Sequence, residues 1–127
     1  MFNFEKLETW QEAIQFADMV YELTRNFPDQ ERFGLTNQMR RAAVSVMSNI
    51  AEGFERGGTA EFIQFLCFAK GSAGELQSQL YVALDQRYIS EEEFKSLRAI
   101  AESTKRLIGG LLTYLRGSGL KGVKYKK

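Results

Sequence analysis

The chain has 127 residues, of which 44% are hydrophobic and 26% are charged, and its formal net charge is +1. This length and composition fit one globular domain with a buried core and not a disordered chain. The sequence has no histidine and one cysteine, which excludes an intramolecular disulfide and removes the commonest general base and metal ligand. No apolar run approaches the roughly 18 residues of a membrane span, and residues 1–7 do not resemble a signal peptide, so we expect no membrane contact and a cytoplasmic protein.

The first predicted helix runs from about Glu5 to Asn26 and ends at Phe27, because Pro28 disfavours helical geometry in the residue before it. Its apolar face is wide enough to contact two neighbouring helices. That face consists of Trp10, Ala13, Ile14, Phe16, Ala17, Val20, Tyr21, Leu23 and Phe27. We expect residues 29–32 to form one short turn.

The second predicted helix begins near Thr36, which we expect to be its N-cap, and ends between Gly53 and Gly58. Apolar residues recur every three or four positions, as on one helical face. They are Met39, Ala43, Val46 and Ile50. A polar series with similar spacing runs beside them and is called the polar stripe. The polar stripe consists of Gln38, Arg41, Ser45, Ser48, Asn49, Glu52 and Arg56.

The polar stripe has two interpretations. In the first it is a structural network in which Arg41 and Glu52 pair within one chain or between chains. The members of that network are Gln38, Arg41, Ser45, Asn49 and Glu52. In the second it is a surface for RNA or DNA, in which Arg40, Arg41 and Arg56 contact phosphates. We favour the structural network, because small neighbours such as Gly53 indicate close packing and not an open groove.

The third predicted helix begins at Thr59, which we expect to be its cap, and carries the most regular apolar heptad in the chain. The heptad positions are Phe62, Leu66, Ala69, Ala73, Leu76, Leu80 and Ala83. Gly71 and Gly74 interrupt this helix, and each costs about 1 kcal/mol relative to alanine. We therefore expect another helix to approach closely there. Cys67 lies in an apolar segment and is interpreted as a packing residue and not as a nucleophile.

The fourth predicted helix starts with a capping box, in which Ser90 caps the helix and Glu93 reaches back. It is predicted to end before Gly117. Its apolar series is Phe94, Leu97, Ala101, Thr104, Ile108, Leu111 and Leu115. Four amphipathic helices with short connections predict an all-α, antiparallel up-down-up-down four-helix bundle over residues 1–116. We expect residues 117–127 to be a disordered basic tail.

The positive charge of the sequence is concentrated at its end. The last twelve residues contain five cations and no acid, so residues 1–115 carry a net charge of −4. The cations are Arg116, Lys121, Lys124, Lys126 and Lys127. Such a tail either binds nucleic acid or another anionic surface, or is a solvated end that keeps the protein soluble.

Catalytic and cofactor motifs are absent from the sequence. Without histidine there is no Glu-x-x-His pair for a di-iron centre, and no phosphate-binding glycine fingerprint occurs. Gly57 and Gly58 precede a helix and are interpreted as an interhelical turn. A serine nucleophile paired with Lys70 stays open as an unusual alternative, although nothing in the spacing brings Ser45 or Ser48 next to it. We therefore expect a protein that is not an enzyme and that uses no cofactor or metal.

Several segments resemble one known family. They include Leu7-x-x-Trp10-x-x-Ala13, Phe27-Pro28-x-x-Glu31, Gly34-Leu35-Thr36-x-Gln38-x-x-Arg41-Ala42-Ala43-x-Ser45, Asn49-Ile50-Ala51-Glu52-Gly53, Glu61-Phe62-x-x-Phe65-Leu66 and Glu75-Leu76-x-x-Gln79-Leu80. The chain resembles the small four-helix-bundle proteins of the 23S rRNA intervening-sequence family, and a relative is the accessory variability determinant of diversity-generating retroelements. The resemblance implies a bacterial, non-enzymatic bundle that assembles as a ring-shaped homopentamer. The retroelement relative further implies contact with nucleic acid or a nucleic-acid-processing protein through a basic surface.

The resemblance and the basic tail together predict a homo-oligomer, a pentamer, that binds RNA or a ribonucleoprotein partner. The predicted contact residues are Arg40, Arg41, Arg56, Lys121, Lys124, Lys126 and Lys127. The alternative is a protein-only oligomeric scaffold or adaptor without nucleic-acid contact, which the net negative charge of residues 1–115 favours.

Overall fold

The computed structural model describes residues 3–118, which form four α-helices and two short 3₁₀ helices. The α-helices are α1 (Glu8–Thr24), α2 (Leu35–Glu55), α3 (Thr59–Asp85) and α4 (Glu91–Ser118), and the 3₁₀ helices are Phe4–Lys6 and Asp29–Glu31. The predicted all-α fold and the short turn after Pro28 are confirmed. Within the described chain, no helix has the length and hydropathy that crossing a membrane requires. Most of the predicted tail, with its four lysines, lies outside the described residues.

Within the bundle, the four helices are neighbours in the order in which they follow one another along the chain. Each packs against the next and α1 also packs against α4, whereas across residues 3–118 no Cα atoms of the diagonal pairs lie within 8 Å of each other. Neighbouring helices run antiparallel, because the residue numbers of contacting residues increase along one helix while they decrease along the next. Gln77 of α3 bonds Lys105 of α4, and ten residues earlier Cys67 meets Arg116. The up-down-up-down bundle follows from these contacts.

The core is built from the apolar faces that the spacing predicts. The complete α3 heptad and the four predicted apolar positions of α2 are buried. In α4 the predicted series fails at Leu111, where Leu112 is buried instead with 3% exposure. A straight helix rotates by about 20° per heptad relative to a strict seven-residue repeat. Over three heptads this drift rotates the core-facing side of α4. The core position after Ile108 is therefore Leu112, four residues later, and not Leu111, three residues later.

Two predicted helix caps are wrong. α2 begins at Leu35, one residue before Thr36, and the Leu35 N–H donates to Oε1 of Glu31 over 3.0 Å. A carboxylate from the preceding 3₁₀ helix therefore takes the place of a threonine hydroxyl. Thr59 is the first residue of α3, and Gly58 occupies the cap position without a side chain to contribute.

The capping box at the start of α4 is confirmed by two reciprocal hydrogen bonds. Glu93 N–H donates to Oγ of Ser90 at 3.0 Å, and Ser90 N–H donates to Oε1 of Glu93 at 2.8 Å. At its other end α4 continues through Gly117 to Ser118, two residues beyond the predicted end.

The close helix approach lies at Gly53 and not at Gly71 or Gly74. A Cβ at position 53 would lie 2.6 Å from Cβ of Phe65, whereas a Cβ at position 71 or 74 would meet nothing within 4 Å. The prediction that Gly71 and Gly74 admit a neighbouring helix is therefore wrong within the protomer. Gly71 is exposed on the outer side of α3, and Gly74 is half-buried without a neighbouring helix in contact.

Candidate nucleic-acid interface

The middle of the polar stripe links α2 to α3. The hydroxyl oxygens of Ser45 and Ser72 lie 2.8 Å apart. The Asn49 amide donates to the Ser45 carbonyl oxygen at 2.8 Å and to the Ser45 hydroxyl at 3.0 Å. Ser45 and Asn49 thus take part in an interhelical hydrogen-bond network, while Ser48 is exposed.

At the C-terminal end of the stripe, Glu52 pairs with Arg56. Nη2 of Arg56 lies 2.8 Å from Oε2 of Glu52, and Nη1 lies 4.0 Å from Oε2 of Glu61. The hydrogen bond to Glu52 raises the pKa of Arg56. The guanidinium also stacks over the Phe65 ring, 4.9 Å from its centroid. Arg41 lies about 16 Å from Glu52 along the helix, so the predicted pair cannot form within one chain.

Arg40 connects α2 to α1. Its Nε donates to Oγ1 of Thr24 at 2.8 Å, and its guanidinium lies over the Tyr21 ring, 4.6 Å from the centroid. The side chain is half-buried by these contacts. Arg40 therefore has a structural role in the protomer, whatever else it contacts.

Arg41 is exposed at a shallow depression between α2 and α3, which Gln38 and Glu75 also line. Arg40 is held against α1, and Arg56 lies at the far end of α2, about 22 Å from Arg41. The three arginines that the sequence reasoning selected are thus spread along one helix and are not gathered into a cationic patch.

A larger concentration of positive charge lies on the outer face of α4. Between residues 95 and 116 this helix carries five cations and one acid, Glu102. The cations lie on the solvent side at helical spacing, and all are exposed except the half-buried Lys105. They are called the α4 cationic row and are Lys95, Arg98, Lys105, Arg106 and Arg116.

The rest of the described chain has the opposite charge. Residues 3–94 contain 8 Lys and Arg against 15 Asp and Glu, hence −7, whereas residues 95–116 carry +4. The net charge of −4 on residues 1–115 conceals the row, because the acidic residues around it outnumber its cations. The signal that could have revealed the row is the spacing of Lys95, Arg98, Lys105 and Arg116, which places them on one helical face.

Gln77 of α3 forms hydrogen bonds with two charged side chains of α4 near the centre of the row, Glu102 and Lys105. Its amide donates to Oε2 of Glu102 at 2.6 Å, and its carbonyl oxygen accepts from Nζ of Lys105 at 3.0 Å. The bond from Gln77, together with the charges of Lys105, Arg98 and Arg106, holds the pKa of Glu102 below its ordinary value of 4.5. Glu102 is therefore ionised at neutral pH and offsets one positive charge of the row.

Cys67 is exposed, so the prediction that it packs in the interior is wrong. Leu66 and Ala69 occupy the core positions of α3, and Cys67 lies between them on the side facing α4. There its Sγ is 3.7 Å from Nη2 of Arg116, at the end of the row. No three His, Cys, Asp or Glu residues in the described part of the chain are grouped to hold a metal ion.

Between Gln64 and Val82 the outer face of α3 carries one charge, at Glu75, whereas Glu61 and Asp85 are exposed at its two ends. Phe68 and Val82 are 50% and 46% exposed, and Gly71 faces open space. This surface is called the α3 outer face and consists of Ala60, Gln64, Phe68, Gly71, Glu75, Ser78 and Val82.

Comparison with known proteins identifies the family. Residues 5–110 match the model of the 23S rRNA-intervening sequence protein family. The chain belongs to this family. A crystal structure from Bacteroides thetaiotaomicron, of a protein with unknown function from the S23 ribosomal protein family, has a similar fold. The TM-score is 0.74 at 23% sequence identity, over 82% of this chain and 97% of that chain. Comparison with curated proteins gives no significant match.

The match confirms the resemblance found in the sequence. The matched residues include the whole polar stripe and the α4 cationic row as far as Arg106. Arg116 and the basic tail follow the matched region, so the positive charge continues beyond it.

Proposed function

We propose that this family member is a cytoplasmic, non-enzymatic homo-oligomer that binds RNA or a ribonucleoprotein partner through the α4 cationic row and the basic tail. The observation that carries the RNA contact is the row, with five cations on one face of a helix whose surroundings are acidic. The local field of a surface, and not the net charge of the protein, attracts a polyanion. The absence of histidine and of catalytic motifs supports a role other than catalysis.

The dimensions and chemistry of the row suit the phosphates of RNA. From Lys95 to Arg116 the row extends over about 32 Å of helix, which is long enough to meet several phosphates. Arg98 and Arg106 offer guanidinium groups that can bind a phosphate through two parallel hydrogen bonds. The lysines from Lys121 onward add positive charge next to the same end of α4.

The salt dependence of binding tests the RNA contact. Fluorescence anisotropy of a labelled, structured RNA is measured over a series of salt concentrations beginning at about 50 mM. We expect log Kd to vary linearly with log salt, and the slope to fall by about two when Arg98, Lys105 and Arg106 are all replaced by glutamine.

The matched control replaces Lys6, Arg25 and Arg32 by glutamine, which removes the same charge from exposed positions outside the row. This variant should keep the wild-type slope. An equal decrease of the salt slope in both variants would show that the net charge of the protein alone determines binding. Absence of binding at the lowest salt concentration would contradict the RNA contact altogether.

The α3 outer face supports the oligomeric part of the proposal. Phe68 and Val82 expose apolar surface to water, and large exposed apolar side chains on one face are a feature of protein contacts. Gly71 lies between them and leaves room for a second helix to approach the backbone. We propose that this face meets another copy of the chain, and the family resemblance implies five copies in a ring.

Native mass spectrometry and light scattering test the assembly. The wild-type protein should have the mass of five chains, and Phe68→Glu combined with Val82→Glu should give a folded monomer with an unchanged circular dichroism spectrum. Phe33→Glu is the control, because Phe33 is 85% exposed and lies outside the α3 outer face. A wild-type protein that is monomeric at micromolar concentration would rule out the assembly.

The second candidate function is a protein-only scaffold or adaptor. The observation that favours it is the charge of the other three helices and their connections, because residues 3–90 hold 8 Lys and Arg against 12 Asp and Glu, hence −4, which repels RNA. In that case the protein purified from its own host assembles normally but retains no nucleic acid. Native mass spectrometry of that material therefore separates the two functions.

A further inference from the structure

A groove of about 380 Å³ lies between the C-terminal end of α1 and the N-terminal end of α4. Its floor is apolar and is formed by Met19, Leu23 and Leu97. Leu23 and Leu97 are buried, and Met19 is half-buried. A floor of this kind binds apolar side chains of a ligand, because their burial removes apolar surface from water.

The rim of the groove is acidic. Glu22, Glu92 and Glu93 line it, and Arg25 is paired with Glu22. Glu93 accepts the Ser90 N–H in the capping box, while Glu92 is exposed at the edge. With Arg25 included, the rim keeps a net charge of −2. The groove therefore suits a basic segment that also carries apolar residues.

The sequence after Ser118 has the complementary pattern. Residues 119–127 read GLKGVKYKK and contain three apolar or aromatic residues among four lysines and no acid. The apolar residues are Leu120, Val123 and Tyr125. This composition matches the floor and the rim of the groove at the same time, and no other stretch of nine residues in the chain combines four cations with no acid.

The distances along α4 exclude the groove of the same copy. Leu97 is the lining residue nearest to the tail and lies about 32 Å from Ser118 along the helix, and Glu92 lies about 39 Å away. Tyr125 is the seventh residue after Ser118 and, in a fully extended chain, lies at most about 25 Å from it. Leu120, Val123 and Tyr125 therefore cannot reach the groove of their own copy. We infer that the groove binds the basic tail of a second copy of the chain.

This contact goes beyond the proposed function, because it links copies at a place distinct from the α3 outer face. It also gives the tail lysines two alternative partners, the acidic groove of another copy and the phosphates of RNA. The two compete for the same positive charges. Filling of the groove is therefore highest when no polyanion is present.

Isotope-coded cross-linking of the full-length protein tests the inference. Equal amounts of ¹⁴N-labelled and ¹⁵N-labelled protein are mixed without nucleic acid and treated with a carbodiimide, which joins lysine amines to adjacent carboxylates. We expect peptides that join the tail lysines to Glu22, Glu92 or Glu93 and that contain one light and one heavy partner. Cross-links with matched isotopes only, or none at the groove, would overturn the inference.

Charge reversal at the rim gives a second test. In Glu22→Lys combined with Glu92→Lys, the yield of tail cross-links to the remaining Glu93 should fall about tenfold, because two charge pairs become repulsive. Asp18→Lys combined with Glu91→Lys is the control, since both residues are exposed on the same two helices and do not line the groove. An equal fall in the control would overturn the inference.

A change in the tail itself keeps the test independent of the bundle. Lys121→Glu combined with Lys124→Glu changes residues that follow α4 in the sequence, and it should reduce the cross-links from Lys126 and Lys127 without changing the helical signal. Because the reaction contains no RNA, its outcome is separate from that of the RNA-binding experiment. The cross-linking is then repeated in protein that also carries Phe68→Glu and Val82→Glu. The tail cross-links should persist in this background, which separates the contact between tail and groove from assembly through the α3 outer face.

Discussion

Gly53 of α2 lies directly against Phe65 of α3, so that a Cβ at position 53 would be 2.6 Å from Cβ of Phe65 and 3.1 Å from Cδ1 of Phe62. Carbon atoms in packed interiors do not approach so closely. Phe62 also meets Phe54 edge to face, with ring centroids 5.8 Å apart. The missing side chain at position 53 therefore sets the spacing between α2 and α3, and with it the position of the Ser45 hydroxyl network.

Gly53→Ala should lower the free energy of unfolding by up to about 2 kcal/mol. Overpacking costs about 1–3 kcal/mol, and alanine regains about 1 kcal/mol of helix propensity. Urea denaturation followed by circular dichroism measures the change. Gly110→Ala is the control, because that glycine faces open space in α4 and alanine should stabilise it. A stabilising Gly53→Ala would contradict the close approach.

The contrast between Gly53 and Gly71 shows what the sequence can and cannot predict about packing. The spacing of apolar residues predicts which face of a helix is buried, and the whole α3 heptad is buried accordingly. A glycine in a helix shows only that a side chain is missing. Whether a neighbour fills the space depends on which face the glycine occupies in the assembled bundle, and Gly71 occupies the outer one.

The candidate interface was predicted less well than the fold, for a related reason. Arg40 and Arg56 stand in an unusual polar segment, but tertiary contacts with Thr24 of α1 and Phe65 of α3 engage them within the protomer. The α4 cationic row was missed because its members alternate with core residues along the chain. Only the helical rotation that buries Leu97 and Ile108 gathers the cations on one outer face.

Ser90→Ala should lower the free energy of unfolding by about 1 kcal/mol, because the Glu93 N–H loses its acceptor at the start of α4. For a domain of this size the melting temperature should fall by about 4 °C. Thermal unfolding followed by circular dichroism is the measurement. Ser96→Ala is a matched control, since Ser96 is exposed within the same helix and lies outside the capping box. Equal effects of the two changes would mean that the capping box adds no stability.

Glu31 should make the stability of the protein sensitive to acid. The Leu35 N–H and then the Tyr88 hydroxyl, which donates to Oε2 at 2.8 Å, hold the pKa of Glu31 below its ordinary value of 4.5. A carboxyl group with a lowered pKa contributes stability that is fully present above 4.5 and is lost as the pH falls through the folded value. Glu31→Gln should therefore flatten the acid side of the stability curve, as measured by urea denaturation at successive pH values.

Tyr88→Phe separates the two hydrogen bonds of Glu31. It removes the hydroxyl donor and leaves the Leu35 N–H in place, so the acid sensitivity should decrease but persist. The bond to Glu31 also raises the pKa of Tyr88 above its ordinary 10.0, so its contribution is present at neutral pH and is lost as the pH rises through the raised value. If the free energy of unfolding of Glu31→Gln falls with decreasing pH as steeply as that of the wild type, the carboxylate does not stabilise α2.

Arg40→Lys distinguishes the structural role of Arg40 from the predicted RNA contact. Lysine keeps the charge but cannot donate from Nε to Oγ1 of Thr24 while lying flat over Tyr21, so the free energy of unfolding should fall by about 1 kcal/mol. Affinity for RNA should stay unchanged, because the α4 cationic row is on the diagonally opposite helix. Arg41→Lys is the control and should change neither quantity. A loss of RNA affinity at wild-type stability would instead place Arg40 in the interface and require α2 to contact the RNA.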